Sequence, residues 1–212
     1  MWGTDATRFY TEQDGWCWFF GAIDHYSDDL VGWHVAKLGD RWAALEPIRQ
    51  GVRQACGGFS NDVARGLRVR YDWGPQCIAD AWINEVKWLG ITISPSYVGE
   101  PECNGVAERF MRTLKEQCLY LHRFTSLPEA RTIIGTFIAR YNAEWLIERL
   151  GHRTPAAARA AALAAWPWSL TKRSHSGTRI NDRCGSHTRD IPLWCPGNRE
   201  RYNPVEPSHR PL

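Results

Sequence analysis

The sequence predicts an α/β fold: a mixed five-stranded sheet, with three antiparallel strands and then α/β crossovers, and helices on both faces. Three observations carry this. Apolar and β-prone runs recur three times within the first 36 residues, split by turn signals. From Arg41 onward the apolar residues change to helical spacing, and helical stretches then alternate with short strand-like runs. The 212 residues are 43% hydrophobic and 23% charged, the balance of a chain that buries one sizeable core.

The elements follow in order. Gly3-Thr4-Asp5-Ala6-Thr7 is short and β-prone. Asp14-Gly15 is a turn dipeptide, and Trp16 to Ile23 is a nearly continuous apolar run, as in a strand buried on both faces. Ser27-Asp28-Asp29 turns the chain into a third strand, Leu30 to Ala36. Between Arg41 and Cys56, Trp42, Leu45, Ile48 and Val52 recur at helical spacing until Gly57-Gly58 stops the helix. Leu67 to Tyr71 alternates apolar and basic, a strand with one buried face. Pro75 suits the first turn of the next helix, whose stripe is Ile78, Trp82, Val86 and Leu89. Ile91 to Ile93 is a short strand, and Ser94 to Pro101, with two Pro and a Gly, is a loop. Helices over Asn104 to Tyr120 and Leu127 to Trp145 follow, then a helix-prone Ala-rich run from Ala156 to Ala165. Beyond Trp166 no period is sustained.

Composition narrows the class. No apolar run approaches the roughly 18 residues that span a bilayer, and no charged-then-apolar stretch opens the chain. The expectation is a cytoplasmic, nucleoid-associated protein without a membrane. Seven Cys without a C-x-x-C pair read as reduced thiols used as small hydrophobes. Cys184-x-x-His187 with Cys195 lacks the second half of a metal knuckle. Charge is uneven: residues 1–149 carry 16 basic and 19 acidic side chains, residues 150–212 carry 10 and 4. An acidic body followed by a basic, Pro-rich tail suits a nucleic-acid partner, and equally a solvated end.

Most of the acids are expected to be solvated. Three stand out by position. Asp5 lies inside the first strand in a Thr-rich, apolar setting. Asp72 ends a strand and faces a loop, before Trp73-Gly74-Pro75. Glu108 lies in the first turns of the helix after the 94–101 loop. Such strand ends and helix starts are where open α/β sheets place chemistry. Spacing alone decides little, because Asp80 and Glu116 repeat the separation of Asp72 and Glu108; Asp80 is expected mid-helix, with no strand behind it.

At this point the residues carry a resemblance. The blocks are Trp2 to Thr7, Ile23 to Ser27 with Val31-Gly32-Trp33, Asp72-Trp73-Gly74-Pro75-Gln76, Pro101 to Phe110 with Leu114-Lys115, and Tyr141-Asn142 with Leu150 to Pro155. Together they resemble the integrase catalytic core of bacterial insertion-sequence transposases, relatives of retroviral integrases, over about residues 2–160. The resemblance implies an RNase H-like fold and an Asp-Asp-Glu triad that binds two divalent ions. Block by block the triad falls on Asp5, Asp72 and Glu108, the three acids singled out above. Carboxylates are hard oxygen donors suited to Mg²⁺ or Mn²⁺. Two such ions about 4 Å apart serve an in-line phosphoryl displacement, by water to nick DNA or by a 3′-hydroxyl to join strands.

The implied partners are DNA, as element ends and target, and further copies of the chain on that DNA. Residues 1–160 would be the catalytic core and 161–212 a poorly ordered basic tail. Asn104, Glu108, Arg112 and Lys115 share one helix face, so Arg112 and Lys115 are expected on DNA phosphates, with a plain Glu108–Arg112 surface pair as the alternative. Asn104 and Gln76 are further expected DNA contacts, though a solvated Gln76 reads as well. Asp24 is expected to form a turn, and His25 to pack or lie on the surface. The family carries a helical DNA-binding region before the core, whereas Met1 stands four residues before Asp5, so recognition of element ends is expected to be missing. A catalytically incompetent remnant that binds DNA or a full-length partner is the alternative. A ribonuclease H-like hydrolase would share the fold and the acids, but not the Asn104-Gly105 and Leu150-to-Pro155 blocks.

Overall fold

A long β-hairpin begins the molecule. The computed structural model describes residues 1–71, 77, 79–95 and 104–165. Strand β1 (Trp2–Thr11) pairs antiparallel with β2 (Gly15–Asp24), with Gly15 at φ 71 after the tight turn. β3 (Leu30–Ala36) continues the meander, with a bulge between Ala22 and Ile23 of β2. Helix α1 (Arg41–Cys56) starts where the Asp40 carboxylate accepts from the amides of Trp42 and Ala43, and ends at Gly57 in the left-handed region. β4 (Arg68–Tyr71), α2 (Asp80–Trp88) and β5 (Thr92–Pro95) follow. β4 lies parallel to β1, and β5 parallel to β4, so the sheet order is β3-β2-β1-β4-β5. α3 (Gly105–Leu114) runs into a π-helical turn, Lys115–Leu119. α4 (Leu127–Glu144), capped by Ser126, and α5 (Pro155–Ala165) complete the described chain.

Alternation along the hairpin divides the apolar residues between two cores. Phe9, Cys17, Phe19 and Ile23 point to one face, under Phe110, Met111 and Leu114 of α3 and Ile134 and Ile138 of α4. Trp2, Phe20, Ala22 and Val69 point to the other, under Leu45, Ile48 and Val52 of α1 and Trp82 and Val86 of α2. The expected layering is therefore present, with helices on both faces of a mixed sheet.

Some boundaries differ from expectation. β1 runs on to Thr11, because the tight turn lets Thr11 pair with Gly15. Ser94 and Pro95 extend β5 instead of opening the loop, since they continue the register with Arg70 and Tyr71. Asp80 is the first residue of α2, not a mid-helix residue. Trp42 is 48% exposed and only Leu45, Ile48 and Val52 of its stripe are buried. The Ile78 position and the 166–212 segment lie outside the described residues, as does most of the 94–101 loop.

Candidate active site

Three chain segments meet at Thr4. It is 8% exposed, and its hydroxyl donates to the Arg70 carbonyl of β4 at 3.2 Å. Its own carbonyl accepts from the Asn104 side-chain amide at 3.1 Å, from the residue just before α3. In sequence, each expected acid lies within a few residues of a member of this junction. Asp5 is the next residue on β1. Asp72 follows Tyr71, the last residue of β4, and itself lies outside the described residues with Gln76. Glu108 is one helical turn past Asn104.

Asp5 is half-buried on the sheet face that α3 covers, and its Oδ1 accepts from the Ala6 amide at 2.7 Å. Its partner across the hairpin is Gly21, so no side chain stands beside the carboxylate on that strand. Gly21 is itself closely covered: a Cβ there would sit 3.3 Å from Met111 Cε of α3. Glu108 is exposed in the first turn of α3, where the helix dipole favours a carboxylate. Arg112 is exposed one turn further, and Lys115 is half-buried where the helix becomes a π turn. No ion pair links Glu108 to Arg112 among the described residues. Asp80 heads α2, and Glu116 lies in the π turn.

Asn104 has a different setting from the one expected of a DNA contact. It is 1% exposed, with its amide committed to Thr4. Asp24 forms the expected turn, its Oδ1 accepting from the Tyr26 amide at 3.0 Å. The sequence neighbours of His25 do not separate packing from surface, yet its ring lies beside Gly3 and Asn104. Burial lowers its pKa to about 4, and the nearby Arg70 guanidinium and the N-terminal amine act in the same direction.

A polar clamp lies on the chain just after His25. Arg149 donates to Asp28 at 2.5 Å and also to the carbonyls of His25 and Tyr26. Arg159 pairs with Asp29 at 2.5 Å, and the Asn142 amide bonds both the N–H and the carbonyl of Leu30. Asp28 is 3% exposed, and burial raises its carboxyl pKa against the opposing pull of Arg149. The clamp fixes the β2–β3 turn to the C-terminal end of the described chain. Its only sequence signal is the later block with Asn142 and Leu150 to Pro155.

Comparison with known proteins agrees with this fold. Residues 89–155 match the integrase core domain family, a stretch that includes Glu108 and lies downstream of Asp5 and Asp72. The catalytic core of BIV integrase superposes with a TM-score of 0.55 at 20% identity, over 76% of this chain and 93% of that one. The HTLV-2 integrase catalytic core, solved in complex with magnesium, gives 0.54 at 15% identity, over 74% and 93%. The fold is that of the retroviral integrase catalytic cores, an RNase H-like fold.

Among bacterial proteins, the transposase of IS629 from Shigella sonnei is 26% identical over 167 residues, 78% of this chain and 53% of its own. The transposase of IS904 from Lactococcus lactis is 27% identical over 157 residues, 73% of this chain and 59% of its own. The chain is thus similar to these insertion-sequence transposases and, over residues 89–155, to the integrase core domain family, and it spans little more than half the length of the two transposases. Among the described residues no helix is long and apolar enough to cross a membrane.

Proposed function

We propose that this chain is a metal-dependent DNA strand-transferase of the transposase type, with Asp5, Asp72 and Glu108 as its metal-holding carboxylates. The observation that carries the reading is the Thr4 junction, where β4 and the start of α3 are both hydrogen-bonded to the residue before Asp5. The donor set fits two Mg²⁺ or Mn²⁺ ions: carboxylates on rigid elements, one half-buried beside a glycine and one exposed on a helix start. When bound, such ions activate an attacking oxygen and stabilise the leaving one.

The chain's own residues do the rest. β1 and α3 hold Asp5 and Glu108 on elements fixed by two cores, so little reorganisation is needed when DNA arrives. Arg112 and Lys115, on the turns after Glu108, bind phosphates and set the strand in line. Residues 1–160 form the catalytic core, and the basic residues of 161–212 add sequence-independent attraction to DNA. Element ends and target DNA are the substrates, and several copies of the chain assemble on them.

Nicking and strand transfer on an oligonucleotide with the parent element's end test this. Wild-type activity should require Mg²⁺ or Mn²⁺. Asp5→Asn and Glu108→Gln should each lower it by 10³-fold or more, on the order of 4 kcal/mol of transition-state stabilisation, with the melting temperature unchanged or raised. Near-normal activity in either variant would sink the mechanism. DNA binding without metal-dependent nicking in the wild type would leave the chain a DNA-binding relative only.

A further inference from the structure

We infer that His25 and Asn104 are positioning residues: they clasp the start of α3 to β1 and thereby hold Glu108 in register with Asp5. The inference rests on the reading of Asp5 and Glu108 as metal-holding groups.

Asn104 occupies the position that caps α3, where an Asn side chain usually accepts from an amide of the first turn. It makes no such bond here. It turns to the sheet instead, and Nδ2 donates to the Thr4 carbonyl. That bond settles which end of the amide faces which way, so Oδ1 is left as an acceptor inside the protein. Oδ1 and Nε2 of His25 are both buried and neither has a partner elsewhere, while the two side chains interact with each other.

The two atoms lie over the same spot. A Cβ placed on Gly3 would fall 2.6 Å from Asn104 Oδ1 and inside contact distance of His25 Nε2. Gly3 sits in regular strand without a positive φ, so it is a glycine for room and not for backbone freedom. An amide oxygen only accepts, so the ring that faces it must carry its proton on Nε2. Leaving both atoms unpaired inside the protein would be costly, because each has given up its hydrogen bonds to water. His25 is itself anchored, because its backbone amide donates to the Met1 carbonyl at 3.0 Å and its carbonyl accepts from Arg149. The chain of contacts is therefore the β2 end, His25, Asn104, Thr4 and Asp5, with Glu108 one turn along α3.

This changes the part given to Asn104. A DNA contact would raise the DNA dissociation constant when removed. A clasp leaves DNA affinity alone and loosens the helix start. The test uses the full chain with Asn104→Ala, His25→Phe and the milder His25→Gln, whose side-chain N–H replaces the missing donor. Three readouts apply: hydrogen exchange at the amides of Arg109 to Met111, which close the first turns of α3; Mn²⁺ binding by calorimetry; and DNA affinity in metal-free buffer. Ring ¹⁵N shifts of His25 report the tautomer.

In Asn104→Ala and His25→Phe, exchange in the first turns should speed at least tenfold and Mn²⁺ binding weaken at least tenfold, with DNA affinity within twofold. His25→Gln should recover most of both effects, and wild-type His25 should show the Nε2–H tautomer. Unchanged exchange at Arg109 to Met111 in both Asn104→Ala and His25→Phe overturns the clasp, as does a proton on Nδ1 alone. A tenfold loss of DNA affinity with unchanged exchange returns Asn104 to the DNA. If Mn²⁺ binding is abolished in Asp5→Asn and Glu108→Gln but kept in every clasp variant, the metal reading stands and this inference fails. If the wild type binds no Mn²⁺ while the clasp variants still loosen α3, the clasp stands and the metal reading fails.

Discussion

His25 gives the clearest pH signature at the scale of single residues. Its folded pKa of about 4 lies below the 6.5 of the free side chain, because burial disfavours the charged ring and Arg70 repels it. The neutral form is the one that folding favours. Stability from this residue is therefore fully present above pH 6.5, and is lost as pH falls through 6.5 toward 4. The whole shift amounts to about 3 kcal/mol. Urea unfolding at pH 7 and pH 4.5 should show a larger loss in the wild type than in His25→Gln, and equal losses would contradict the burial of the ring. The role of His25 is not legible in the sequence, because nothing in the Asp24-His25-Tyr26 neighbours encodes a contact with a residue 79 positions away. Asp5 and Glu108 are legible, because an acid inside an apolar strand and an acid on a helix start are local anomalies. Asn104 misleads for the opposite reason: it shares a helix face with Glu108, and periodicity does not say that one end of that face is covered by the sheet.

Among the elements, α1 and β3 approach more closely than ordinary side chains allow. A Cβ on Gly32 would overlap the backbone carbonyl of Pro47, which stands inside α1 without breaking it. Pro lacks the N–H that would bond to the fourth carbonyl back, and the helix nevertheless runs its 16 residues, as the spacing of Leu45, Ile48 and Val52 predicts. The same approach leaves α1 able to reach the edge of β3. Gln50 Oε1 accepts from the Trp33 amide at 3.2 Å, and Arg131 of α4 donates to the Val35 carbonyl at 3.2 Å. These side chains occupy backbone groups on the sheet's outer edge, which otherwise would template pairing with another chain. Gly32→Ala must push helix from sheet, since the facing atoms of Pro47 are backbone and have no rotamer to change. Overpacking of this kind costs about 1–3 kcal/mol, and the destabilisation should appear as a lower urea midpoint with an unchanged slope. A midpoint within a tenth of the wild-type value would show that α1 shifts freely. Helices α1, α2 and α4 are legible from their apolar period, and the hairpin from its turn dipeptide. The reach of β1 to Thr11 is not, because Arg8 and Tyr10 alternate outward and only pairing with β2 reveals them as strand.

Across the whole molecule, charge and the proposed site point in opposite directions. Residues 1–149 are acidic on balance, with 16 basic and 19 acidic side chains, and the proposed site adds carboxylates where phosphates must come. Residues 150–212 carry six more basic than acidic side chains. On the proposed function, DNA attraction through that segment would come from binding to phosphates, so it should be blind to sequence and steep in salt. Replacing Arg173, Arg179, Arg183, Arg189, Arg199 and Arg201 by Gln removes the whole excess without shortening the chain. For B-DNA each phosphate that is no longer neutralised lowers the slope of log K against log salt by about 0.9, so the six together lower it by up to about 5. Affinity should fall alike for element-end and random duplexes. Arg112→Ala and Lys115→Ala act elsewhere: their side chains stand on the turns after Glu108, so their removal should reduce strand transfer several-fold more than bulk binding. A titration over salt with both duplexes, run for the six-fold variant and for Arg112→Ala, separates the two roles. A six-fold variant that loses affinity for one duplex only would place sequence recognition in residues 173–201, and would overturn their assignment as a phosphate-reading segment.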